Sequence, residues 1–284
     1  MQTYLDCIPC FMQQALRVGR LSTDNENQIK KILDNVGCMI QDLPMESSPP
    51  EISMQMYNKI KEITNNPDPF ADAKIDHIDK ALKLYPHMED ILDESDDPLL
   101  DAVKISIAGN IIDLGAAKTF NIEEDILKSL HEDLKINDFP EFKKALKNSK
   151  NIVYLGDNSG EAVFDKLLIE QIGKPMFFAV RKQPIINDIT KKEAAMIGID
   201  EVANVVSSGT SAPGTVLNTC NSDFIEILEN ADMIISKGQG NYESLSDTNY
   251  PIFFLLKAKC GVIARDIGVE EDSLILMKNN KMIR

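Results

Sequence analysis

Residues 151–172 read NIVYLGDNSGEAVFDKLLIEQI, and within them Asp157 and Asn158 stand side by side just after a short apolar run reaches Gly156. A carboxylate and an amide carbonyl are hard oxygen donors of the kind that hold Mg2+ or Mn2+. The ordinary alternative is a helix cap, since Asp and Asn ahead of a helix satisfy its free N–H groups. A second acid, Asp188, comes after the next apolar run, in "AVRKQPIINDIT", again just before a helix expected to begin near Thr190. Carboxylates on two neighbouring loops can face a single cation. Arg181 and Lys182 lie between them, placed either to meet a phosphate or to serve as solvated loop charges.

Two later segments carry anion-binding chemistry. "SSGTSAPGTVLNT" contains Ser208, Gly209 and Thr210, a run of hydroxyls and glycine that can offer several O–H and N–H donors to an oxyanion. "ISKGQGNYESL" sets Lys237 after an apolar run and follows it with Gly238, Gln239, Gly240 and Asn241. This is not a P-loop, because the GxxxxGK[ST] spacing is absent. A cation next to exposed amides still suits a phosphoryl group bridged by a metal. Earlier in the chain, Asn110 and Asp113 in "SIAGNIIDLG" share one face of an apolar helix. They point into a cleft or hydrogen-bond between helices.

These residues need elements to position them. From Gln2 to about Lys150 apolar residues recur every three or four positions, as in "FMQQALRVGRL", "IKKILDNVGCMI" and "MQMYNKIKEI", which is the helical period. Proline-rich breaks such as "LPMESSPPEIS" and "DESDDPLL" are expected to end the helices. From Asn151 the runs "NIVYLG", "PMFFAV", "VANVVSSG", "DMIISKG", "IFFLL" and "SLILM" alternate with helical stretches, the mark of βαβ units. "IFFLL" taken alone is equally compatible with buried helix. The expected fold is α/β: an all-α region over residues 1–148, in one or two helical subdomains, packed on a Rossmann-like, mostly parallel three-layer α/β/α domain over 149–284. Ligands of such sheets bind at the carboxyl ends of the strands, where the candidate residues fall.

Composition narrows the function. Lys and Arg total 30 against 45 Asp and Glu, a net charge of −15 that repels nucleic acid and anionic lipid. No apolar run approaches the roughly 20 residues of a membrane span, and the N-terminus lacks a signal-peptide pattern, so a cytoplasmic protein is expected. The five cysteines, Cys7, Cys10, Cys38, Cys220 and Cys260, are expected to be reduced thiols. Cys7 and Cys10 form a CxxC without a second pair, and His77, His87 and His131 are scattered, so a zinc site is not indicated. Helix packing or a place beside the cleft remains for that pair.

Six motifs in order, "CIPC", "NPDPF", "AGNIID", "GDNSGE", "PIINDIT" and "KGQGNYESL", resemble the damage-control phosphatase (ARMT-like) family, metal-dependent phosphatases formerly catalogued as a domain of unknown function. The compact length and "KGQGN" are similar to its small archaeal and bacterial members. The resemblance implies a divalent cation (Mn, Mg, Co or Ni) held by Asp157, Asn158 and Asp188. It implies a phosphate-binding role for Lys237 and places the family's helical Asn and Asp on Asn110 and Asp113. The Arg-Thr-x-Lys motif of the larger eukaryotic branch is absent, so that branch's sugar-phosphate preferences do not carry over.

The expected reaction is hydrolysis of a small phosphorylated metabolite by metal-assisted attack of water, with Asp157, Asp188 and Lys237 as the catalytic set. An aspartyl-phosphate on Asp157 is a variant that rapid quench would trap. Rivals from other classes are an S-adenosylmethionine-dependent methyltransferase, testable by calorimetric titration with that cofactor, and a non-catalytic metal- or phosphate-binding module, which would bind without turnover.

Overall fold

The computed structural model describes residues 1–109 and 122–279. Asn110 and Asp113 lie outside the described residues. The N-terminal half winds into α1 (Cys7–Ser22), α2 (Glu26–Gln41), α3 (Pro49–Thr64), α4 (Ala71–Asp93), α5 (Pro98–Ala108), α6 (Ile122–His131) and α7 (Phe139–Asn148). The prolines in the breaks open the next helix rather than closing the last. Pro49 and Pro50 start α3 behind a Ser48–Glu51 capping box, and Pro98 starts α5 behind the Asp97 side chain, which accepts from Leu100 N. At the first helical position the N–H that proline lacks would have had no partner anyway.

Residues 149–279 supply β2 (Ile152–Leu155), α8 (Ala162–Ile172), β3 (Met176–Val180), α9 (Lys191–Ile197), β4 (Asn204–Ser207), α10 (Ser222–Glu229), β5 (Met233–Lys237), α11 (Gly238–Leu245), β6 (Ile252–Lys257), α12 (Gly261–Ile267) and β7 (Leu274–Lys278). Each of the six apolar runs is a strand, including "IFFLL". A further strand, β1 (Ile136–Asn137), pairs in parallel with β7 and brings the helical half's own backbone into the sheet. It is two residues long, too short to show a period.

Among the described residues the sheet runs β1-β7-β6-β5-β2-β3-β4 and is parallel except where β7 pairs antiparallel with β6. The class is α/β, with N-terminal helices preceding a mostly parallel sheet flanked by helices. Alternate residues of the strands enter different cores. Ile152, Tyr154, Phe178, Met233, Ile235 and Phe253 join the core beneath α4, α5 and α8. Val153, Leu155, Ile234, Ile252 and Phe254 join the one beneath α10, α11 and α12. Burial on both faces is why the strands read as unbroken apolar runs. Truncating a fully buried aromatic such as Phe178 would cost about 3–5 kcal/mol.

Helices α1, α2 and α3 form a third cluster around Phe11, Ala15, Ile32, Met56 and Ile60, and Ile185 from the loop after β3 inserts into it. The bundle therefore rests on the carboxyl edge of the sheet. From β2 the chain goes outward to β3 and β4, then returns to place β5 on the other side of β2. The crevice between β2 and β5 is the topological switch point, where such sheets bind ligands.

Candidate active site

The loops after β2 and β3 are stitched together by their backbones. Ser159 N donates to Asn187 O at 2.8 Å, Ile189 N to Asp157 O at 2.8 Å and Arg181 N to Ile189 O at 2.9 Å. Asn158 and Asp188 form an isolated antiparallel bridge. Asp157, Asn158 and Asp188 are thus brought to one place, with the two acids only 9% and 3% exposed. Ile186, beside them, holds φ 44°, a left-handed conformation that costs a β-branched residue about 1–3 kcal/mol. The loop is held in that shape by Ile185 in the helical cluster and by Lys61, whose Nζ donates to Pro184 O.

Neither acid is needed to start a helix. Thr190 caps α9, which begins at Lys191 close to the expected start, and shares a capping box with Glu193. α8 begins at Ala162 with no side-chain cap. Ser159 does not cap α8 either, because its hydroxyl is buried and makes no hydrogen bond among the described residues. The peptide N–H of Ser159 is spent on the neighbouring loop, which turns the chain before the helix starts.

Arg181 lies under the acidic pair. Its Nε donates to Asp188 Oδ2 at 2.7 Å, Nη1 to Thr215 Oγ1 at 3.3 Å and Nη2 to Asn241 Oδ1 at 3.2 Å, and Nη2 is 3.9 Å from Asp157 Oδ1. Asn241 is fully buried and also ties Lys237 O and Gly156 O to its amide, at 2.8 and 3.3 Å. The exits of β2, β3 and β5 are joined through this one side chain. Burial raises the Asp157 carboxyl above the usual range against the pull of Arg181, and raises Asp188 to about 7 in the same way. Two acids kept from ionising easily by their surroundings, with one arginine below them, form a site that a cation would complete.

Lys237 sits elsewhere than in the cleft. It has no exposed surface, and its Nζ donates to Ser106 O at 2.8 Å, to Asp165 Oδ1 at 2.7 Å and to Glu161 Oε1. Tyr154 and Ser106 donate to the same Asp165 oxygen, each at 2.8 Å. Gly109, just past α5, allows this approach, because a Cβ there would lie 2.5 Å from the Phe164 ring. Next to Lys237, Gly238 has φ +76°, and a Cβ at that position would overlap the Asp157 carboxylate. The glycine is required on both counts. The hydroxyls of the β4 exit are used internally: Ser208 Oγ donates to Val180 O at 2.8 Å, Thr210 Oγ1 pairs with Thr219 Oγ1 at 2.6 Å, and Gly209 turns the chain against Asn221 with φ +83°.

A cleft of about 580 Å³ opens between α1 and α3 on one side and the sheet edge on the other. Asp157, Asn158 and Asp188 line it, as do Gln239, Gly240 and Glu243 of α11, Lys259, and the thiols of Cys7, Cys10 and Cys260. All five cysteines are free, and the CxxC pair is beside the cleft. Sequence reasoning missed Glu243, Lys259 and the buried pair Glu161 and Asp165. The two latter residues extend Asp157 at four-residue steps into α8, a spacing visible in "DNSGEAVFD". Lys259 follows β6, the run whose strand character periodicity alone could not establish.

Among the described residues no three His, Cys, Asp or Glu side chains are grouped to hold a metal by themselves. The donors at hand, two carboxylates and one amide, fit a hard cation that completes its shell with water and phosphate oxygens, as Mg2+ does. Asn158 has Nδ2 3.4 Å from both Asp157 Oδ2 and Glu161 Oε2, and a turn of that amide presents its oxygen instead.

Comparison with known proteins places the whole chain. The chain is 34% identical to a damage-control phosphatase of Archaeoglobus fulgidus, over 95% of its own length and 96% of that protein. It is 32% identical to damage-control phosphatase PH1575 of Pyrococcus horikoshii, over 98% and 99%. The crystal structure of PH1575, described as a DUF89 family protein, superposes with a TM-score of 0.91 at 31% identity, covering 99% of this chain and all of that one. An uncharacterized protein of Methanocaldococcus jannaschii, MJ0202, is 35% identical over 96% of this chain and 94% of its own. The model of the damage-control phosphatase ARMT1-like domain matches residues 3–275, and the chain belongs to that family.

Proposed function

We propose that this protein is a metal-dependent phosphatase that hydrolyses a small phosphorylated metabolite by attack of water on a phosphomonoester. The observation that carries the reading is the convergence of Asp157, Asn158 and Asp188 at the β2–β5 crevice, on loops held together by their own backbones. The names of the archaeal relatives point the same way. These three residues would hold a divalent cation of the Mn, Mg, Co or Ni kind, which when bound supplies Lewis acidity toward a phosphoryl oxygen. Asp157 and Asp188 also offer carboxylate oxygens that can orient the attacking water and take its proton. Arg181 acts from below, holding both carboxylates in place. Lys237 acts at one remove, fixing Glu161 behind Asn158 and the turn into α11, whose Gln239 and Gly240 face the cleft. The ligand is a small anion carried by a chain of net charge −15, so binding depends on local cations, among them Lys259 in the cleft wall.

Turnover of p-nitrophenyl phosphate or of sugar phosphates is expected to vanish with EDTA and to return with added Mn2+, Co2+, Ni2+ or Mg2+. Asp157→Ala, shown to be folded, is expected to lose that activity. Full metal-dependent turnover by folded Asp157→Ala would remove the assignment.

A further inference from the structure

One acidic side chain of the cleft has no task in the machinery described above. Glu243 lies one helical turn beyond Gln239 on α11, so the two share a face, and both line the cleft with Asp157. The Gln239 Oε1 atom is buried without a hydrogen-bond partner. The Glu243 carboxyl makes no hydrogen bond or ion pair with any described residue, although its backbone carbonyl accepts from the Met1 amine at 2.7 Å. Buried polar groups in native proteins are nearly always satisfied, so the unpaired Gln239 Oε1, with the half-buried and unpartnered Glu243 carboxyl beside it on one cleft-facing surface, indicates a ligand.

The surroundings of Glu243 decide its protonation. Burial acts most strongly against the carboxylate, the Met1 amine opposes that, and the negative charges of Asp157 from the β2 exit and Asp266 from α12 add to the burial. The carboxyl is pushed up to about 8. The Met1 amine itself is paired with Asp247 at 3.0 Å, which weakens its pull. From α1 the group faces Cys7 and Cys10, thiols that burial raises and that are neutral near pH 7. On the far wall, Arg265 is paired with Asp6 at 2.8 Å, and Lys259 acts on Asp157. These surroundings favour the neutral acid of Glu243 near neutral pH, on a residue that lines the cleft.

Resting on the phosphatase reading above, we propose that Glu243 is the general acid that protonates the leaving-group oxygen, with Gln239 accepting a hydrogen bond from a hydroxyl of the departing group. The bond between phosphorus and the leaving oxygen breaks as the bond from phosphorus to the attacking water oxygen forms. The Glu243 proton passes to the leaving oxygen, releasing a neutral alcohol. The proton lost by the attacking water goes to solvent through the acidic pair, and solvent returns one to Glu243. An alkoxide is too basic to leave unaided at neutral pH, whereas p-nitrophenolate needs no proton, so the two substrate types separate this role from any other.

The test compares wild type and Glu243→Gln, both loaded with Mn2+, on β-glycerol phosphate and on p-nitrophenyl phosphate. The variant is expected to lose about 100- to 10,000-fold in kcat on the alkyl ester and far less on the aryl ester. The wild-type kcat on the alkyl ester should fall above a midpoint near pH 8, and the variant should lack that limb. Equal losses on both esters, or no loss on the alkyl ester, would overturn the proposal. A measurement on wild type alone covers the case of a misfolded variant: across a series of aryl and alkyl phosphates its rates should depend only weakly on leaving-group basicity, and a steep dependence overturns the proposal. Hydrolysis of neither ester by metal-loaded wild type removes the phosphatase reading itself, and the proposal with it.

Discussion

Replacing Lys237 with Met tests whether this lysine serves the ligand or the fold. Its ammonium has no exposed surface and is shared among Asp165 Oδ1 at 2.7 Å, Ser106 O at 2.8 Å and Glu161 Oε1. Methionine fills much of the same space but strands two buried carboxylates without a counter-charge. Breaking a buried pair by deleting one partner costs about 3–5 kcal/mol. At about 2–4 °C per kcal/mol for a chain of this size, the thermal midpoint should fall by roughly 10 °C. Thermal and urea unfolding followed by circular dichroism would measure it, and amide exchange should show faster opening in β5 and α8. Adding Asp165→Asn to Lys237→Met should recover part of the loss, because one of the stranded charges is then gone. An unfolding free energy within about 1 kcal/mol of wild type, with the defect confined to phosphate affinity, would refute the reasoning. It would mean that the ammonium leaves its carboxylates to reach the ligand.

Gly238→Ala should destabilise by about 1–2 kcal/mol for the left-handed backbone alone, and the displaced Asp157 carboxylate should lower metal-dependent turnover by about 100-fold, read from kcat and the unfolding midpoint together. Lys74, 1% exposed and 2.8 Å from both Asp68 and Glu193, ties α4 to the cap of α9, so Lys74→Met should cost about 3–5 kcal/mol in urea unfolding. Burial opposes ionisation of Glu193, but hydrogen bonds from Lys74 and Thr190 hold its carboxyl below the usual 4.5. The stability it contributes is present above that pH and lost as pH falls below it, so acid unfolding of Lys74→Met should show a weaker pH dependence there. Glu243 has the opposite sign: its folded value of about 8 lies above the ordinary 4.5, so its contribution is complete below pH 4.5 and is lost as pH rises to 8. The stability of Glu243→Gln relative to wild type should therefore rise over that window, by up to about 1.4 kcal/mol per pH unit.

Much of this protein was legible before any coordinates. Strands buried on both faces must be apolar throughout, so β2, β3 and β5 announced themselves as runs, while the run of β6 read equally as buried helix, and the amphipathic period of α1, α2 and α3 was as plain as the strands. Because parallel sheets bind ligands where strands end, the residues after those runs were the ones to inspect, and Asp157, Asn158 and Asp188 proved to share one cleft. The strand β1 was not legible, since two residues carry no alternation and pair only because β7 is already in place.

What a charged side chain faces was decided by tertiary structure alone. Arg181 and Lys237 follow strands just as Asp157 does, yet Arg181 turns beneath the acids and Lys237 turns away into Glu161 and Asp165. A buried cation goes to the carboxylates that offset its desolvation, and those lie at the start of α8 with α5 packed against them. Glu243 shows the reverse case. In the sequence it is one more acid on a short helix, and only the closure of α1 over the sheet edge encloses it with Asp157 and without a partner. Local pattern determines which residues arrive at the crevice, because strand and helix periods are local. Which of them stays charged, and toward what, is set by neighbours more than a hundred residues away in the chain, as Ser106 is from Lys237.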